Sequence, residues 1–467
     1  MTRKNLPLIE KVLVTDLAAQ GKAIARIDQY VTFIANALPG DVVDLQVIRR
    51  KKSWQEAKAI HFHSFSDKRT PPFCEHFGIC GGCRWQDLKY REQLYYKQKE
   101  INDQFARIGK LSYPQPEPII GSESGKFYRN KLEFAFTNQR WLTREEIENE
   151  TEIIHRNGLG FHVRSLYDKV IDLENCYLQP EPSNTIRLAI RNFAIRNQYS
   201  FFDLKNQSGL LRNLIIRTTL TGEVMVLVVF YDDDRDVREH ILGHISGSFP
   251  EITSLMYAIN QKANDSIYDL EFILYRGKDY IHEKLEDLRF RIGPKSFFQP
   301  NAIQASRMYT WIRENADLNG SETVYDLYTG TGAIAIFLAG HAKKVIGLEY
   351  IDDAVSDAKK NSLLNNISNT RFICGDIRKA LNHDLLEQEG YPDIMITDPP
   401  RAGMHKDVIQ SILNISPGRI IYISCNPATQ ARDVSLLADQ YKIVRVQPFD
   451  MFPHTWHVEN VVLLVKK

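Results

Sequence analysis

The stretch Thr323-Val324-Tyr325-Asp326-Leu327-Tyr328-Thr329-Gly330-Thr331-Gly332 sets the fold class of the C-terminal part of this chain. It begins as a short apolar strand, turns at two glycines and leads into a helical pattern. Such a turn uses small residues so that the backbone can approach a ligand closely. The third glycine of the dinucleotide fingerprint is missing, which argues against NAD. A glycine turn alone is a weak signal, so the flanking strands determine its meaning.

From about residue 292 onward, strands alternate with helices, which predicts a parallel, doubly wound sheet. Ligands bind such sheets outside the carboxyl ends of the strands. Glu349 ends the second strand, where an acid binds ribose hydroxyls, and Asp376 follows the third, within reach of an adenine. Asp398-Pro399-Pro400 follows the fourth strand. Helix capping explains any one of these acids but not the series. The order matches the S-adenosylmethionine pocket of class I methyltransferases. The predicted strands are residues 323–326, 344–349, 370–373, 394–397, 420–423, 441–444 and 461–465.

Cys425 lies in Ser424-Cys425-Asn426-Pro427, directly after the fifth predicted strand. A thiol at a strand end and near a helix start is in a position that favours the thiolate, and we interpret it as a nucleophile beside the cofactor loop. Cys374, in Phe372-Ile373-Cys374-Gly375, has no activating group nearby in sequence. We expect Cys374 to be a small core residue.

Four of the six cysteines predict a metal centre. Cys74, Cys80 and Cys83 are clustered around a Gly-Gly pair, and Cys176 is a candidate fourth ligand. Four thiolates suit either zinc or an iron–sulfur cluster. Zinc sites usually contain two C-x2-C pairs and this chain has one, which favours iron–sulfur without excluding zinc.

Residues 7–62 predict several short strands separated by turns, as in a small barrel of the OB kind. Residues 1–110 contain 19 Lys and Arg against 12 Asp and Glu, a net charge of +7 that leaves −6 for the remainder of a chain of net charge +1. Arg49-Arg50-Lys51-Lys52 is expected in a hairpin turn, as a solvated loop or a phosphate contact. Residues 88–108 have helical periodicity.

Two segments of the middle region mix basic, amide and aromatic or apolar side chains at predicted strand starts. They are Phe127-Tyr128-Arg129-Asn130-Lys131 and Leu210-Leu211-Arg212-Asn213-Leu214. Such mixtures suit RNA contact by stacking and phosphate binding. Half-exposed strands without a ligand are an equally good interpretation of the same residues.

Neither a membrane span nor a secretory leader is predicted, because no apolar run approaches about 20 residues and the first five residues lead into strand-like sequence. We therefore expect a cytoplasmic protein, in which the cysteines do not form disulfides.

Several motifs resemble the RNA uracil-5-methyltransferases, and the resemblance extends over essentially the whole chain. The motifs are Phe297-Phe298-Gln299-Pro300-Asn301, Asp398-Pro399-Pro400-Arg401-Ala402-Gly403, Ser424-Cys425-Asn426-Pro427-Ala428-Thr429-Gln430-Ala431-Arg432-Asp433 and His457-Val458-Glu459. The resemblance implies the branch acting on 23S ribosomal RNA, with three domains. These are an OB-like TRAM β-barrel that binds RNA (residues 1–66), a central α+β domain with a [4Fe–4S] cluster and an RNA-binding surface (67–291), and a Rossmann-like α/β class I methyltransferase domain (292–467).

The resemblance also implies a mechanism. The Cys425 thiolate adds to C6 of a uracil, C5 takes the methyl group of S-adenosylmethionine, and Glu459 removes the C5 proton. Asp398, Gln299, Tyr328 and Glu349 would bind the cofactor, and Cys74, Cys80, Cys83 and Cys176 the cluster. Tyr328 and Thr329 depart from the family's usual Phe-Cys, which affects only the contact with the methionine part of the cofactor.

Other functions fit parts of this pattern. Amino methylation normally uses an Asn-Pro-Pro-aromatic loop, whereas Asp398 and Arg401 flank the prolines here. Cytosine-C5 enzymes carry a Cys after a Pro at other loops, an arrangement that this chain lacks. An RNA-binding assembly factor would not need Cys425, Glu459, Asp398 and Gln299 together. Transfer RNA is the alternative substrate to 23S ribosomal RNA, and we expect a monomer.

Overall fold

The first sheet of this computed structural model is a barrel-like unit of six strands, as expected from the sequence. The structure describes residues 6–148, 155–164 and 166–467, so the leading residues used for the leader prediction lie outside it. The sheet order is β1-β5-β6-β4-β3-β2. Its strands are β1 (Leu8–Leu13), β2 (Asp16–Ala18), β3 (Lys22–Ile27), β4 (Tyr30–Ala35), β5 (Val42–Arg50) and β6 (Trp54–Ser64).

Alternation of side chains builds the interior of this unit. Val43, Leu45 and Val47 of β5 are buried, while the residues between them are half-exposed. This is the period of a strand with one face on a core. The basic hairpin turn predicted at residues 49–52 begins only after Arg50. Strand β5 continues through Arg50, which pairs with Gln55 of β6.

Asp41 fastens the barrel to the segment that follows it. Its carboxylate accepts hydrogen bonds from the backbone N–H groups of Leu38 (2.7 Å) and Ser66 (2.9 Å) and from the Arg69 guanidinium. Arg69 also pairs with Asp87 at 2.6 Å. Burial alone would raise the pKa of Asp41, but Arg69 and the backbone donors outweigh it and lower that pKa.

Helix α1 (Tyr90–Gln104) follows the cysteine segment and ends in one π turn at Phe105–Gly109. It confirms the predicted helical periodicity. Ile101 and Phe105 are fully buried in a core that includes Tyr325 and Tyr422 of the C-terminal sheet. The helix therefore packs on the C-terminal part of the chain.

The middle region forms a seven-stranded sheet with the order β13-β12-β11-β10-β7-β8-β9. Strands β10 and β11 are buried along their whole length, between two hydrophobic clusters. Its elements are β7 (Lys131–Thr137), α2 (Arg144–Glu148), β8 (Gly158–His162), β9 (Val170–Asp172), α3 (Ser183–Arg196), β10 (Leu211–Thr218), β11 (Val224–Phe230), α4 (Arg235–Ser248), β12 (Ser254–Ile259) and β13 (Ile273–Gly277).

The interpretation of Leu210-Leu211-Arg212-Asn213-Leu214 as an RNA contact is wrong, because β10 is buried. Arg212 is 1% exposed, and its guanidinium donates to the carbonyls of Asn260 and Lys262 and to Asp265. A basic side chain in a strand can thus serve a buried loop instead of a ligand.

A hairpin and a second seven-stranded sheet complete the chain. The order of this sheet is β18-β17-β16-β19-β20-β22-β21. The first five strands are parallel, as predicted, but β22 runs antiparallel between β20 and β21. The elements are β14 (Ile281–Leu285), β15 (Leu288–Ile292), α5 (Ala302–Ala316), β16 (Thr323–Leu327), α6 (Ala333–Ala339), β17 (Lys344–Glu349), α7 (Asp352–Leu364), β18 (Thr370–Cys374), α8 (Ile377–Ala380), α9 (His383–Glu389), β19 (Ile394–Thr397), α10 (Lys406–Ile415), β20 (Arg419–Ser424), α11 (Pro427–Leu437), β21 (Tyr441–Phe449) and β22 (Glu459–Lys466).

Among the helices of the described ranges, none has the length and apolar character needed to cross a membrane.

Candidate active site

The glycine turn after β16 is held open by positive backbone angles. Tyr328, Gly330 and Gly332 have φ of +63°, +57° and +80°. A Cβ on Gly332 would lie 3.0 Å from Ala358 and Phe372, whereas a Cβ on Gly330 would meet no heavy atom within 4 Å. The turn is therefore packed on its inner side and has free space above Gly330, as a ligand cradle requires.

Glu349 fixes this turn to the end of the neighbouring strand. One carboxylate oxygen accepts the N–H of Gly330 at 3.0 Å. The other accepts the N–H groups of Tyr350 at 2.7 Å and Ile351 at 3.0 Å. Because β16 and β17 are parallel and adjacent, the predicted ribose-binding acid lies beside the glycine turn.

Tyr328, Asp376 and Pro400 line a cleft of about 820 Å³ next to this turn. Asp376 is thus placed at the predicted edge of the cofactor site. Its carboxylate pairs with Arg378, Nε of which lies 2.9 Å from Oδ1. The hydrogen bond from Arg378 lowers the pKa of Asp376 to about 2, so this acid is ionised at neutral pH.

Two further acids face the same region from the ends of β16 and β19. Burial raises the pKa of Asp326 to about 7, although Thr329 donates to its Oδ2 at 2.5 Å. The other oxygen of Asp326 is buried without a hydrogen-bond partner. Burial, with the charge of Asp326, raises the pKa of Asp398 to about 7. A cation bound here would favour the ionised form of both acids.

Strand register places Cys425 and Glu459 at the same end of the β20–β22 pair. Ser424 of β20 pairs with Asn460 of antiparallel β22, and this is the last pair of the ladder. Cys425 follows Ser424 and Glu459 precedes Asn460, and Glu459 lies close enough to raise the pKa of Cys425. Asp398 lies close enough to influence both groups.

Burial disfavours the thiolate that the helix start favours at Cys425. Burial raises its pKa to about 11, and Glu459 and Asp398 add to the rise while Arg401 opposes it. Glu459 is 4% exposed, and burial together with Asp398 raises its pKa well above the usual range. A thiol among acids keeps its proton until a cation or substrate changes the local charge.

Gln299 joins the site from the loop before α5. Gln299 is buried, and its backbone carbonyl accepts a hydrogen bond from Nδ2 of Asn130 at 2.9 Å. The neighbouring carbonyl of Phe297 accepts from Thr331 of the glycine turn at 3.5 Å. The predicted residues Gln299, Tyr328, Glu349, Asp376, Asp398, Cys425 and Glu459 therefore lie around the carboxyl ends of the C-terminal sheet.

Arg401 and His457 belong to the site although no role was assigned to them from the sequence. The positive charge of Arg401 opposes the rise in the pKa of both Cys425 and Glu459. Burial, with the charge of Arg401, lowers the pKa of His457 to about 4. The signal was available, because both residues lie within the motifs quoted above, Arg401 directly after the prolines that follow Asp398.

Cys374 is exposed, contrary to the expectation of a core residue. It ends β18, the edge strand of the sheet, and its thiol lies 3.6 Å from the carbonyl of Tyr350. An edge strand buries fewer of its side chains, which the local sequence did not reveal.

Cys74, Cys80, Cys83 and Cys176 line one small cavity of about 30 Å³. Burial raises the pKa of all four thiols, to about 12 for Cys80 and about 11 for Cys176. Four thiolates in such surroundings require a compensating cation.

The spacing of these thiols is wider than a single metal ion requires. A zinc ion with Zn–S bonds of 2.3 Å holds its sulfurs about 3.8 Å apart. Within the described ranges, ligand atoms of three or more His, Cys, Asp or Glu residues lie within 4.8 Å of one another only at exposed His383, Asp384 and Glu387.

Backbone hydrogen bonds fasten the cysteine segment on two sides. The N–H of Gly81 donates to the carbonyl of His162 at 3.0 Å, in the central sheet. The N–H groups of Arg84 and Trp85 donate to the carbonyl of His454 at 2.7 and 3.0 Å. His454 lies in the loop that leads to Glu459, so the cysteine segment contacts the loop that carries the candidate base.

Comparison with known proteins shows the family to which the chain is similar. The model of the tRNA (uracil-5-)-methyltransferase family matches residues 218–467, and that of the TRAM domain matches residues 9–60. Uncharacterized RNA methyltransferases of Bacteroides thetaiotaomicron and Porphyromonas gingivalis are each 52% identical, over 96% and 97% of this chain and 99% of each relative.

A solved structure also matches along the whole chain. It is the Pyrococcus abyssi tRNA (uracil-54, C5)-methyltransferase in complex with S-adenosyl-L-homocysteine, with a TM-score of 0.75 and 27% identity over 97% of this chain and 100% of that one. The resemblance to RNA uracil-5-methyltransferases with a TRAM domain is thereby confirmed. The chain belongs to the tRNA (uracil-5-)-methyltransferase family, a family of RNA methyltransferases.

Proposed function

We propose that this enzyme transfers a methyl group to C5 of a uridine in RNA, with Cys425 as nucleophile and Glu459 as base. The observation that carries the proposal is the ladder position of the two residues, which brings a thiol and a carboxyl group together beside a cofactor cradle. Uracil C6 is electrophilic enough for a thiolate to add to it. The target base must leave its stack or lie in an unpaired loop to reach Cys425.

Cys425 and Glu459 carry the bond-making and proton-removing steps of this reaction. The Cys425 thiol gives its proton to water, and the thiolate forms an S–C6 bond, which leaves C5 as an enolate-like nucleophile. S-adenosylmethionine would supply the methyl group as an electrophilic sulfonium and leave as S-adenosylhomocysteine. Glu459, in the ionised form that a neighbouring cation favours, then takes the C5 proton, the C5–C6 double bond re-forms, and the S–C6 bond breaks to release the Cys425 thiolate.

The acids of the site fit a cationic methyl donor. Asp326 and Asp398 have pKa values near 7 in the free protein, so a sulfonium beside them would favour their ionised forms. Glu349 and Asp376 would hold the ribose and adenine ends, and Gln299 and Tyr328 the remainder of the cofactor. The open space above Gly330 accommodates a bound group without rearrangement.

We further propose that the four cysteines hold a [4Fe–4S] cluster with a structural role. Their shared cavity supports a metal centre, and the single C-x2-C pair favours iron–sulfur over zinc. No step of the methyl transfer uses an electron. The bonds to His162 and His454 indicate that the centre fixes the cysteine segment between the central sheet and the loop before Glu459.

For the substrate we propose 23S ribosomal RNA, with transfer RNA as the second candidate. The barrel and the four cysteines support the ribosomal branch, whereas the Pyrococcus abyssi structure, a transfer-RNA enzyme by name, favours the alternative. The division at residues 66 and 291, cytoplasmic location and a monomeric state complete the proposal. Three sheets at residues 8–64, 131–277 and 323–466 support the division.

Mass-spectrometric mapping of 5-methyluridine in cells lacking this gene tests the proposal. Loss at a 23S ribosomal RNA position, with transfer RNA unchanged and restoration by the wild-type gene but not by Cys425→Ala, is the expected result. Loss only in transfer RNA would keep the chemistry and change the substrate. Restoration by Cys425→Ala would overturn the catalytic assignment.

A further inference from the structure

Four side chains form a small surface beside the four-cysteine cavity, which we call the aromatic patch: Phe73, Lys126, Phe127 and Tyr177. Phe127 is 47% exposed and Lys126 is exposed, while Phe73 and Tyr177 are half-buried. The Phe73 and Tyr177 rings meet edge to face at 5.5 Å, and the Phe127 ring lies 6.2 Å from Tyr177. The Lys126 ammonium lies 4.3 Å from the Phe73 ring centre.

The backbone of Phe127 is strained. Its φ is +56°, a region that bulky L-residues rarely adopt. Among the described residues, the other Phe or Tyr with a positive φ is Tyr328, in the cofactor turn. Strain of this kind collects at functional sites, where the surrounding structure maintains it. A hydrogen bond from the N–H of Phe127 to the carbonyl of Tyr177, at 2.8 Å, holds this conformation and keeps the ring at the surface.

The aromatic patch is connected to the candidate active site by a short length of chain. Asn130, three residues after Phe127, donates to the carbonyl of Gln299 at 2.9 Å. Three residues span at most about 11 Å. On the other side, Phe73 meets the ring of His454, in the loop before Glu459, at 5.1 Å. The aromatic patch therefore adjoins both the segment that contacts Gln299 and the loop that leads to Glu459.

We propose that the aromatic patch binds an unpaired nucleotide of the substrate RNA, stacked on Phe127, next to the nucleotide that enters the cleft. An exposed ring beside rings already in contact is a stacking platform, and bases of any sequence can occupy it. Lys126 has no ion pair within the described ranges and supplies a cation for a phosphate. Glu75 raises the pKa of Tyr177, so an acid also lies near the aromatic patch, and its negative charge opposes phosphate binding there. The inference rests on the proposed function in that the ligand is RNA.

Binding of a fluorescein-labelled 12-nucleotide oligouridine to the full-length protein, measured by anisotropy, tests the inference. Phe127→Asn removes the ring but keeps a residue that tolerates the left-handed conformation. We expect affinity to fall roughly 5- to 150-fold, the range for loss of one stacked base. Phe127→Tyr should stay within about 3-fold of wild type because the ring remains. A melting temperature within a few degrees of wild type shows that each variant folds.

Tyr391→Asn is the matched control. Tyr391 is 59% exposed and precedes β19, at the end of the sheet opposite the candidate active site, so its removal should leave binding unchanged. An abasic oligomer of equal length should bind wild type and Phe127→Asn alike. The inference is overturned if Phe127→Asn binds oligouridine as wild type does, or loses as much affinity for the abasic oligomer.

The assay needs no methyl transfer, so the two proposals can fail separately. A Phe127-dependent affinity in a protein that makes no 5-methyluridine would support the aromatic patch and refute the reaction. Normal methylation with unchanged binding by Phe127→Asn would refute the aromatic patch alone.

Discussion

The ammonium of Lys97 lies 2.5 Å from Oδ1 of Asp450, and both side chains are fully buried. Tyr90 donates to the other oxygen of Asp450 at 2.8 Å, and Lys97 also donates to the carbonyl of Phe452 at 2.9 Å. Lys97 belongs to α1, which follows the cysteine segment, and Asp450 begins the loop before Glu459. The pair therefore joins the helix after the cysteine segment to the loop that leads to the candidate base.

Removing one partner of this pair should be costly. Lys97→Met leaves a carboxylate buried without its cation, for which we expect a loss of about 3–5 kcal/mol in the free energy of unfolding. Urea denaturation measures it. The double variant Lys97→Met, Asp450→Asn should recover much of the loss, because no unpaired charge remains. Equal stability of the single variant and wild type would show that the pair is dispensable.

Covalent trapping tests the nucleophile directly. RNA containing 5-fluorouridine cannot lose a proton from C5, so the adduct with Cys425 should persist and be visible by mass spectrometry. Cys425→Ser should form none, whereas Cys374→Ser should form it at the wild-type level because that thiol is exposed at a sheet edge. An adduct in Cys425→Ser would exclude this thiol as the attacking group.

Arg401 should control the ionisation of Cys425. Because its charge opposes the rise in the pKa of Cys425, Arg401→Gln should raise that pKa further and slow alkylation of Cys425 by iodoacetamide several-fold at pH 8. The rate profile should move toward higher pH. Arg378→Gln, which removes an arginine paired with Asp376 in the adjoining cleft, is the control and should leave the profile in place.

Glu459→Gln should trade activity for stability. Loss of the base should lower the methylation rate about 10²- to 10⁴-fold and let the methylated adduct accumulate. The folded pKa of Glu459 lies above its unfolded value, so the folded state binds more protons and loses stability as pH rises above the unfolded pKa. A neutral Gln has no such loss.

The melting temperature should therefore exceed that of wild type by a few degrees at pH 8 and match it near pH 4. Equal melting temperatures at both pH values would contradict a strongly raised pKa. Asp376→Asn serves as a control, since the pKa of Asp376 is lowered and removal of its charge should not stabilise the protein at pH 8.

Metal analysis distinguishes the two candidates for the four cysteines. Protein purified without oxygen should contain about four irons with matching labile sulfide. Cys80→Ser should lose most of both and melt at a lower temperature, while Cys374→Ser should lose neither. One zinc per chain instead of iron would replace the cluster with a mononuclear site.

The sequence predicted the catalytic sheet well because its signals are local. Strand ends, a glycine turn and acids after successive strands are read from short stretches, and parallel strands bring their carboxyl ends together. Glu349 therefore lies at the glycine turn as expected, with a hydrogen bond to Gly330. The resemblance supplied the role of Glu459, which no local pattern indicated.

The errors concern what a side chain faces, which depends on distant residues. Arg212 is buried because β10 is central in its sheet, and Cys374 is exposed because β18 is an edge strand. The pKa of the Cys425 thiol is raised by burial and further by Glu459 and Asp398, which approach it from other strands. Sheet order and register, which set these surroundings, were not readable from short stretches.

The position of β22 bears on the synthesis of the enzyme. Strand β21 is synthesised before β22 but pairs in its sheet only with β22. Neither β21 nor the free edge of β20 can therefore pair until β22 has been made. The glycine turn and Cys425 are synthesised before Glu459. A nascent chain could therefore hold its methyl donor before it could complete a reaction, and catalytic competence would arrive in one step when β22 inserts.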